Sequence, residues 1–160
     1  MILMSRGFQV IVKPAGAACN LACRYCYYLG RGPAAGPGDE PARMPEDLLE
    51  SYIAQHIAAS PDEIVRFSWH GGEPTVLGAG YFRRIVAIER RLCPPGRTVA
   101  NGLQTNGTLL DGEWGRFLAE EGFSVGLSLD GPRDLHDRYR LTRGGKSAFE
   151  GTMRGYEILR

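Results

Sequence analysis

Four times along this chain a short apolar run breaks at a turn bearing glycine and gives way to residues whose apolar members recur at helical spacing. The runs are Phe8–Lys13, Ile64–Trp69, Thr98–Thr105 and Phe123–Leu129. Their β-branched and aromatic content, and their Pro, Gly and Asn borders, predict strands. A helix follows from Pro45 to about Ser60-Pro61, with Glu46 and Asp47 at its positive end and Leu48, Leu49, Tyr52, Ile53, His56 and Ile57 on one face. Further helices are predicted over Ala79–Leu92, Asp111–Glu121 (Trp114, Phe117 and Leu118 inward) and Ala148–Leu159. Strands alternating with helices at this spacing predict four βα units, a parallel sheet and right-handed crossovers, an α/β fold.

With 160 residues the chain is long enough for one domain with its own core. No Gly/Ser linker divides it and no repeat of 20 to 50 residues marks a solenoid. Gly30 to Pro41 is crowded with Gly and Pro and reads as an irregular excursion. A sheet of four parallel strands would leave its last, apolar strand unpaired, so the chain is expected to be part of something longer.

The charge balance, 19 basic against 18 acidic residues with no basic run, argues against nucleic acid as a partner. No apolar stretch approaches the roughly 20 residues that cross a bilayer. Met1 to Lys13 lacks the pattern of a secretory signal, so a cytoplasmic location is expected. In that reducing setting, three cysteines within eight residues read as metal ligands or redox groups rather than disulfides.

Those three form Cys19-x3-Cys23-x2-Cys26, directly after the first predicted strand. Three thiolates can ligate three irons of a 4Fe-4S cubane and leave the fourth iron open to a ligand. The alternative, a zinc site, needs a fourth N or S ligand, which Cys93 or a histidine would have to supply. Tyr25 stands just before the last cysteine, and Tyr27 and Tyr28 after it read as packing aromatics. His70-Gly71-Gly72-Glu73-Pro74 ends the second strand, where paired glycines let a ligand approach the backbone; alone, the same residues make an ordinary turn. Asn106-Gly107 and Asp130-Gly131-Pro132 are likewise good turn sequences. His136, Asp137, Arg138 and Arg140 form a charged cluster that fits either a carboxylate-binding guanidinium fork or a solvated helix start. His56 reads as a packed, hydrogen-bonded histidine, Arg83, Arg84, Arg90 and Arg91 as a solvated helix face, and Cys93 as a lone thiol at a helix end.

In order, KPAGAACNLACRYCYYL, WHGGEPTVLG, LQTNGTLLDGEW and VGLSLDGPRDLHDRYR resemble the anaerobic sulfatase-maturating enzymes, radical S-adenosylmethionine (SAM) enzymes that usually carry a SPASM domain. The resemblance runs from about Val12 to the C-terminus. It implies a partial (β/α)6 barrel, with residues 1 to 160 as the N-terminal part of the radical SAM core and with later strands and the SPASM region absent. It implies two cofactors, a 4Fe-4S cluster on Cys19, Cys23 and Cys26, and SAM. The stretch Gly71 to Pro74 would meet the methionyl amino group with His70 and Tyr25 nearby; Ser128 and Asp130 would lie near the ribose or carboxylate, and Gln104 and Asn106 would line the cavity. The implied activity is reductive cleavage of SAM to a 5′-deoxyadenosyl radical, used to oxidise a sulfatase Cys or Ser to formylglycine, with a flavodoxin or ferredoxin as electron donor. Two other readings stay open, a maturase of ribosomally made peptides and a non-catalytic scaffold. Independently of the resemblance, all four motifs fall at the C-terminal ends of predicted strands, the face on which parallel α/β barrels build active sites.

Overall fold

A computed structural model describes residues 8–30 and 43–160. Its elements follow the predicted alternation: β1 (Ile11–Val12), α1 (Glu46–Ala59), β2 (Ile64–Trp69), a 3-10 turn (Pro74–Leu77), α2 (Gly78–Leu92), β3 (Thr98–Thr105), α3 (Gly112–Glu120), β4 (Ser124–Leu127), α4 (Arg133–Tyr139) and α5 (Phe149–Leu159). The four strands form one parallel sheet in the order β1-β2-β3-β4. That is the βα architecture the pattern predicts.

Three details differ from the expectation. Leu48 of α1, read onto the apolar face, is exposed, and Leu49 and Ile53 carry the packing. The first strand shortens from six residues to two, because only Ile11 and Val12 find partners, Ser68 and Trp69 at the far end of β2. The loop after β4 also holds a helix of its own, α4, whose residues RDLHDRY carry no apolar period; it is anchored by His136, which is fully buried against Phe149. The irregular excursion predicted from Gly30 to Pro41 lies, after Gly30, outside the described residues.

Parallel sheets covered on both faces read as continuous apolar runs. Here β2 alternates instead. Val65, Phe67 and Trp69 are buried beneath the helices, while Ile64, Arg66 and Ser68 point to the other face. On β3, Asn101, Leu103 and Thr105 are buried on the helix side. The core lies in that layer, where Leu49 and Ile53 of α1, Phe82 and Ile85 of α2, and Trp114 and Phe117 of α3 pack on the strands. Phe82 sits edge-on to both Trp69 and Trp114, geometry that suits aromatic quadrupoles. His56 is buried as expected, its Nε2 bonded to the Arg66 carbonyl at 2.9 Å. The predicted arginine face is exposed and ties elements together, Arg84 to Glu46, Arg91 to Glu50, Arg83 to Glu113 and Arg90 to Glu121.

Candidate functional site

The strand ends on one edge of the sheet set the site. Beyond β1 the cysteine loop is built from tight turns, with Gly16, Ala18, Cys26 and Leu29 each donating a backbone hydrogen bond to the residue three positions earlier. The end of α4 and the residues after it hold this loop from outside. Arg24 and Ala22 donate to the carbonyls of Tyr139 and Leu141, both at 2.8 Å, and the Arg143 Nε donates to the Cys19 carbonyl at 2.8 Å.

The loop after β2 crosses directly over this one. Gly72 donates to the Gly16 carbonyl at 2.9 Å and Glu73 to the Ala18 carbonyl at 2.8 Å. A side chain at Gly72 would run into the Ala18 carbonyl and the Ala17 backbone, and Gly71 adopts φ +120°, a conformation that favours glycine. The paired glycines are therefore required by the crossing itself. Glu73 is buried, and its carboxylate accepts four hydrogen bonds: at Oε1 from the Thr75 amide (3.1 Å), Thr75 Oγ1 (2.6 Å) and Thr105 Oγ1 (2.7 Å), and at Oε2 from the Asn106 amide (2.7 Å). Burial pushes this carboxyl above its ordinary value, although all four donors favour its ionised form. Asn106 continues the network, donating to Asn20 Oδ1 at 2.9 Å, with its Nδ2 4.0 Å from the Cys19 sulfur.

Between these loops lies a cavity of about 230 Å³ lined by Cys19, Cys23 and Cys26, by Tyr25, Tyr27 and Tyr28, by His70 to Glu73, and by Gln104 to Asn106, Ser128 and Arg140. It gathers every candidate site residue except Pro74 and Asp130. Pro74 is buried at the start of the 3-10 turn. Asp130 stands behind the wall, its Oδ2 accepting from the Tyr25 hydroxyl at 2.7 Å and its Oδ1 from Arg140 Nε at 2.9 Å. These bonds outweigh its partial desolvation and hold its carboxyl below the ordinary range. Gln104 of β3 donates to the hydroxyl of Ser128, just past the end of β4, at 3.0 Å. Of the charged cluster after β4, only Arg140 reaches the cavity; His136 accepts from the Asp130 amide, and Asp137 caps α5 by accepting from Ser147 Oγ and the amides of Ala148 and Phe149.

The family follows from this arrangement together with the sequence. The pattern of the Radical SAM superfamily matches residues 14–160. This chain belongs to the Radical SAM superfamily. It is 41% identical over 156 residues to the serine-type anaerobic sulfatase-maturating enzyme of Klebsiella aerogenes, covering 95% of this chain and 36% of that protein. With the cysteine-type enzyme of Clostridium perfringens the identity is 34% over 152 residues, covering 95% and 40%. The solved structure of native anSMEcpe with bound AdoMet and Cp18Cys peptide superposes with a TM-score of 0.82 at 33% identity, covering 94% of this chain and 39% of that one. The Radical SAM chain thus spans about two fifths of the length of the relatives it matches, and the resemblance read from its motifs is borne out.

Superfamily membership implies SAM and a 4Fe-4S cluster, and the residues present fit both. All three cysteines of the loop are free thiols on one cavity wall, and the Leu21 amide donates to the Cys19 sulfur at 3.4 Å. Burial pushes the Cys19 thiol up to about 11, with the neighbouring Glu73, Cys23 and Cys26 adding to the rise. Among the described residues no three His, Cys, Asp or Glu side chains converge on a single ion. A cubane makes no such demand, since its cysteines bind separate irons. Cys93 lies far off, beside Glu89 and Arg97 behind the sheet. Beyond the predicted residues the cavity adds Thr105, Leu21 and the two tyrosines read as packing. Thr105 was visible as the strand's last residue, but its bond to Glu73 spans 32 positions and no local signal announces it.

Proposed function

We propose that this chain is the SAM-cleaving part of an anaerobic sulfatase-maturating enzyme. The observation that carries the reading is the meeting of the cysteine triad with the ends of β2, β3 and β4 around one cavity. Bound there, the cluster and SAM would supply a strongly oxidising carbon radical by one-electron cleavage of a carbon–sulfur bond. Cys19, Cys23 and Cys26 would hold the cluster. The backbone at Gly71 and Gly72 offers polar groups to the amino end of SAM, and Arg140 offers a fork to its carboxylate. Ser128 and Gln104 would bind hydroxyls from the sheet side, and the Tyr25, Tyr27 and Tyr28 rings would shield the site from water.

The relatives' names support a sulfatase Cys or Ser as the substrate side chain, and formylglycine would be the product. A flavodoxin- or ferredoxin-type donor would bring the electron, and a cytoplasmic setting would keep the four thiols reduced. Identity is higher to the serine-type relatives, so a serine-bearing sulfatase peptide is the first substrate to assay.

The test begins with anaerobic reconstitution with iron and sulfide. About four irons per chain, lost in Cys23→Ala, and an electron paramagnetic resonance spectrum of the reduced protein that shifts on adding SAM are expected. A folded protein that takes up no cluster would overturn the proposal.

A further inference from the structure

Asp130 joins three segments that are remote in sequence. It follows β4 in a turn completed by Gly131 at φ +122°, and α4 then brings the chain back so that Arg140, the residue capping that helix, lies beside it. Tyr25 arrives from the cysteine loop, 105 positions earlier. The three side chains close a triangle: Tyr25 Oη to Asp130 Oδ2 at 2.7 Å, Arg140 Nε to Asp130 Oδ1 at 2.9 Å, and the Arg140 guanidinium over the Tyr25 ring at 5.5 Å. The Asp130 and Arg140 side chains are only 22% and 16% exposed, unlike the open ion pairs on the helices, so solvent screens them less. The turn is pinned in turn by fully buried His136, whose Nδ1 accepts from the Asp130 amide at 3.4 Å.

This arrangement leaves Asp130 little to offer a ligand, since each carboxylate oxygen already accepts from a protein donor and the residue does not line the cavity. It leaves Arg140 a great deal. With Nε engaged by Asp130, the two terminal nitrogens form the guanidinium edge that remains for the cavity, and that edge matches a carboxylate in two parallel hydrogen bonds. An arginine without such an anchor would spread over its rotamers and lose freedom again on binding.

We propose that Asp130 is a positioning residue whose carboxylate couples the cysteine-loop Tyr25 to Arg140, holding the carboxylate-binding edge of the guanidinium in register with the cluster loop. The proposal rests on the reading of the cavity as the SAM site. Asp130 acts through its two neighbours and does not touch the cofactor.

The experiment compares wild type, Asp130→Asn, Tyr25→Phe and the double variant, each reconstituted anaerobically. The readouts are iron per chain, the SAM concentration that half-saturates the change in the resonance spectrum of the reduced cluster, and the rate of SAM cleavage at saturation. Asparagine can accept from only one of the two donors. Iron content should stay at the wild-type level while half-saturation rises about tenfold or more, with the cleavage rate recovered at saturating SAM. Tyr25→Phe should raise half-saturation less, and the double variant no further than Asp130→Asn, because the tyrosine hydroxyl acts through the same carboxylate. Unchanged half-saturation in Asp130→Asn, or a loss that only tracks missing iron, overturns the proposal. If Asp130→Asn does not fold, Tyr25→Phe decides alone, and wild-type half-saturation there overturns it. Wild type that takes up no cluster, or whose cluster ignores SAM, sinks the reading of the site instead.

Discussion

Replacing Glu89 by glutamine should make the fold more stable above neutral pH and remove a stability loss that the wild type suffers as pH rises. Glu89 lies on α2 with 2% of its surface exposed, facing β3. Its Oε2 accepts from Asn101 Nδ2 at 2.7 Å, and the Asn101 oxygen accepts from Trp69 Nε1 at 2.7 Å; Oε1 has no partner among the described residues. Burial pushes this carboxyl from its ordinary 4.5 up to about 7, Glu121 adds to the rise, and the Asn101 bond and Arg90 only partly oppose it. Tyr52, whose buried hydroxyl is also unpartnered, feels the same charge. Because the folded form holds the proton more tightly, stability from this group is fully present below pH 4.5 and is lost as pH climbs through about 7. At about 1.4 kcal/mol per pH unit the loss amounts to roughly 3 kcal/mol. Glutamine keeps the acceptor for Asn101 and carries no charge at any pH. Urea unfolding followed by circular dichroism at pH 5.5, 7 and 8.5 is the assay. The variant should exceed wild type by about 1 to 2 kcal/mol at pH 5.5 and by about 3 kcal/mol at pH 8.5. His70 and His136, both with pKa values lowered by burial, are common to both proteins and cancel in the difference. A wild-type minus variant difference that is flat with pH, or that grows toward acid, would refute the reasoning.

Gly72→Ala should disturb the crossing of the two cofactor loops, costing about 1 to 3 kcal/mol in unfolding free energy and lowering iron retained after desalting, because the new methyl meets the Ala17 and Ala18 backbone. Asp111→Ala should cost about 1 kcal/mol by urea titration without changing iron content. It removes the α3 cap that accepts from the Glu113 amide at 2.9 Å and the Trp114 amide at 3.0 Å, far from the cavity.

The alternation of strand and helix was legible because each layer imposes its own period on the sequence. Where an element lacks its period, the reading stayed open: α4 has none, its residues fit either a guanidinium fork or a solvated helix start, and its place is fixed by His136, which is buried. At the site, residues that neighbours in the chain hold in place were readable, such as the cysteine triad and the glycine turns. Residues selected by distant contacts were not. Nothing local separates Arg140 from Arg138, yet only Arg140 is turned by Asp130 toward the cavity. Nor does Gly-Gly-Glu-Pro disclose that its acid bonds to the end of β3.

That last contact explains how one sheet edge becomes one site. The Glu73 carboxylate gathers donors from Thr75, Thr105 and Asn106, and so binds the end of β2 to the end of β3. Asn106, held through its amide, turns its side chain to Asn20 and toward the Cys19 sulfur. The buried carboxyl group thus reaches the cysteine loop in two steps, through Asn106 just past the end of β3. Asp130 does the same from the other side, linking the end of β4 to Tyr25 of that loop. Two carboxylates, one buried and one half-buried, therefore brace the cluster loop against the strand ends that the loop itself does not pair with. The loop hangs from a two-residue edge strand and is built almost wholly of turns, so these braces join the backbone bonds to Gly16, Ala18, Tyr139 and Leu141 in fixing where its three thiols stand. Acidic residues beside an electron-accepting centre look out of place only if they are read as ligands. As braces whose oxygens accept from protein donors, they supply position.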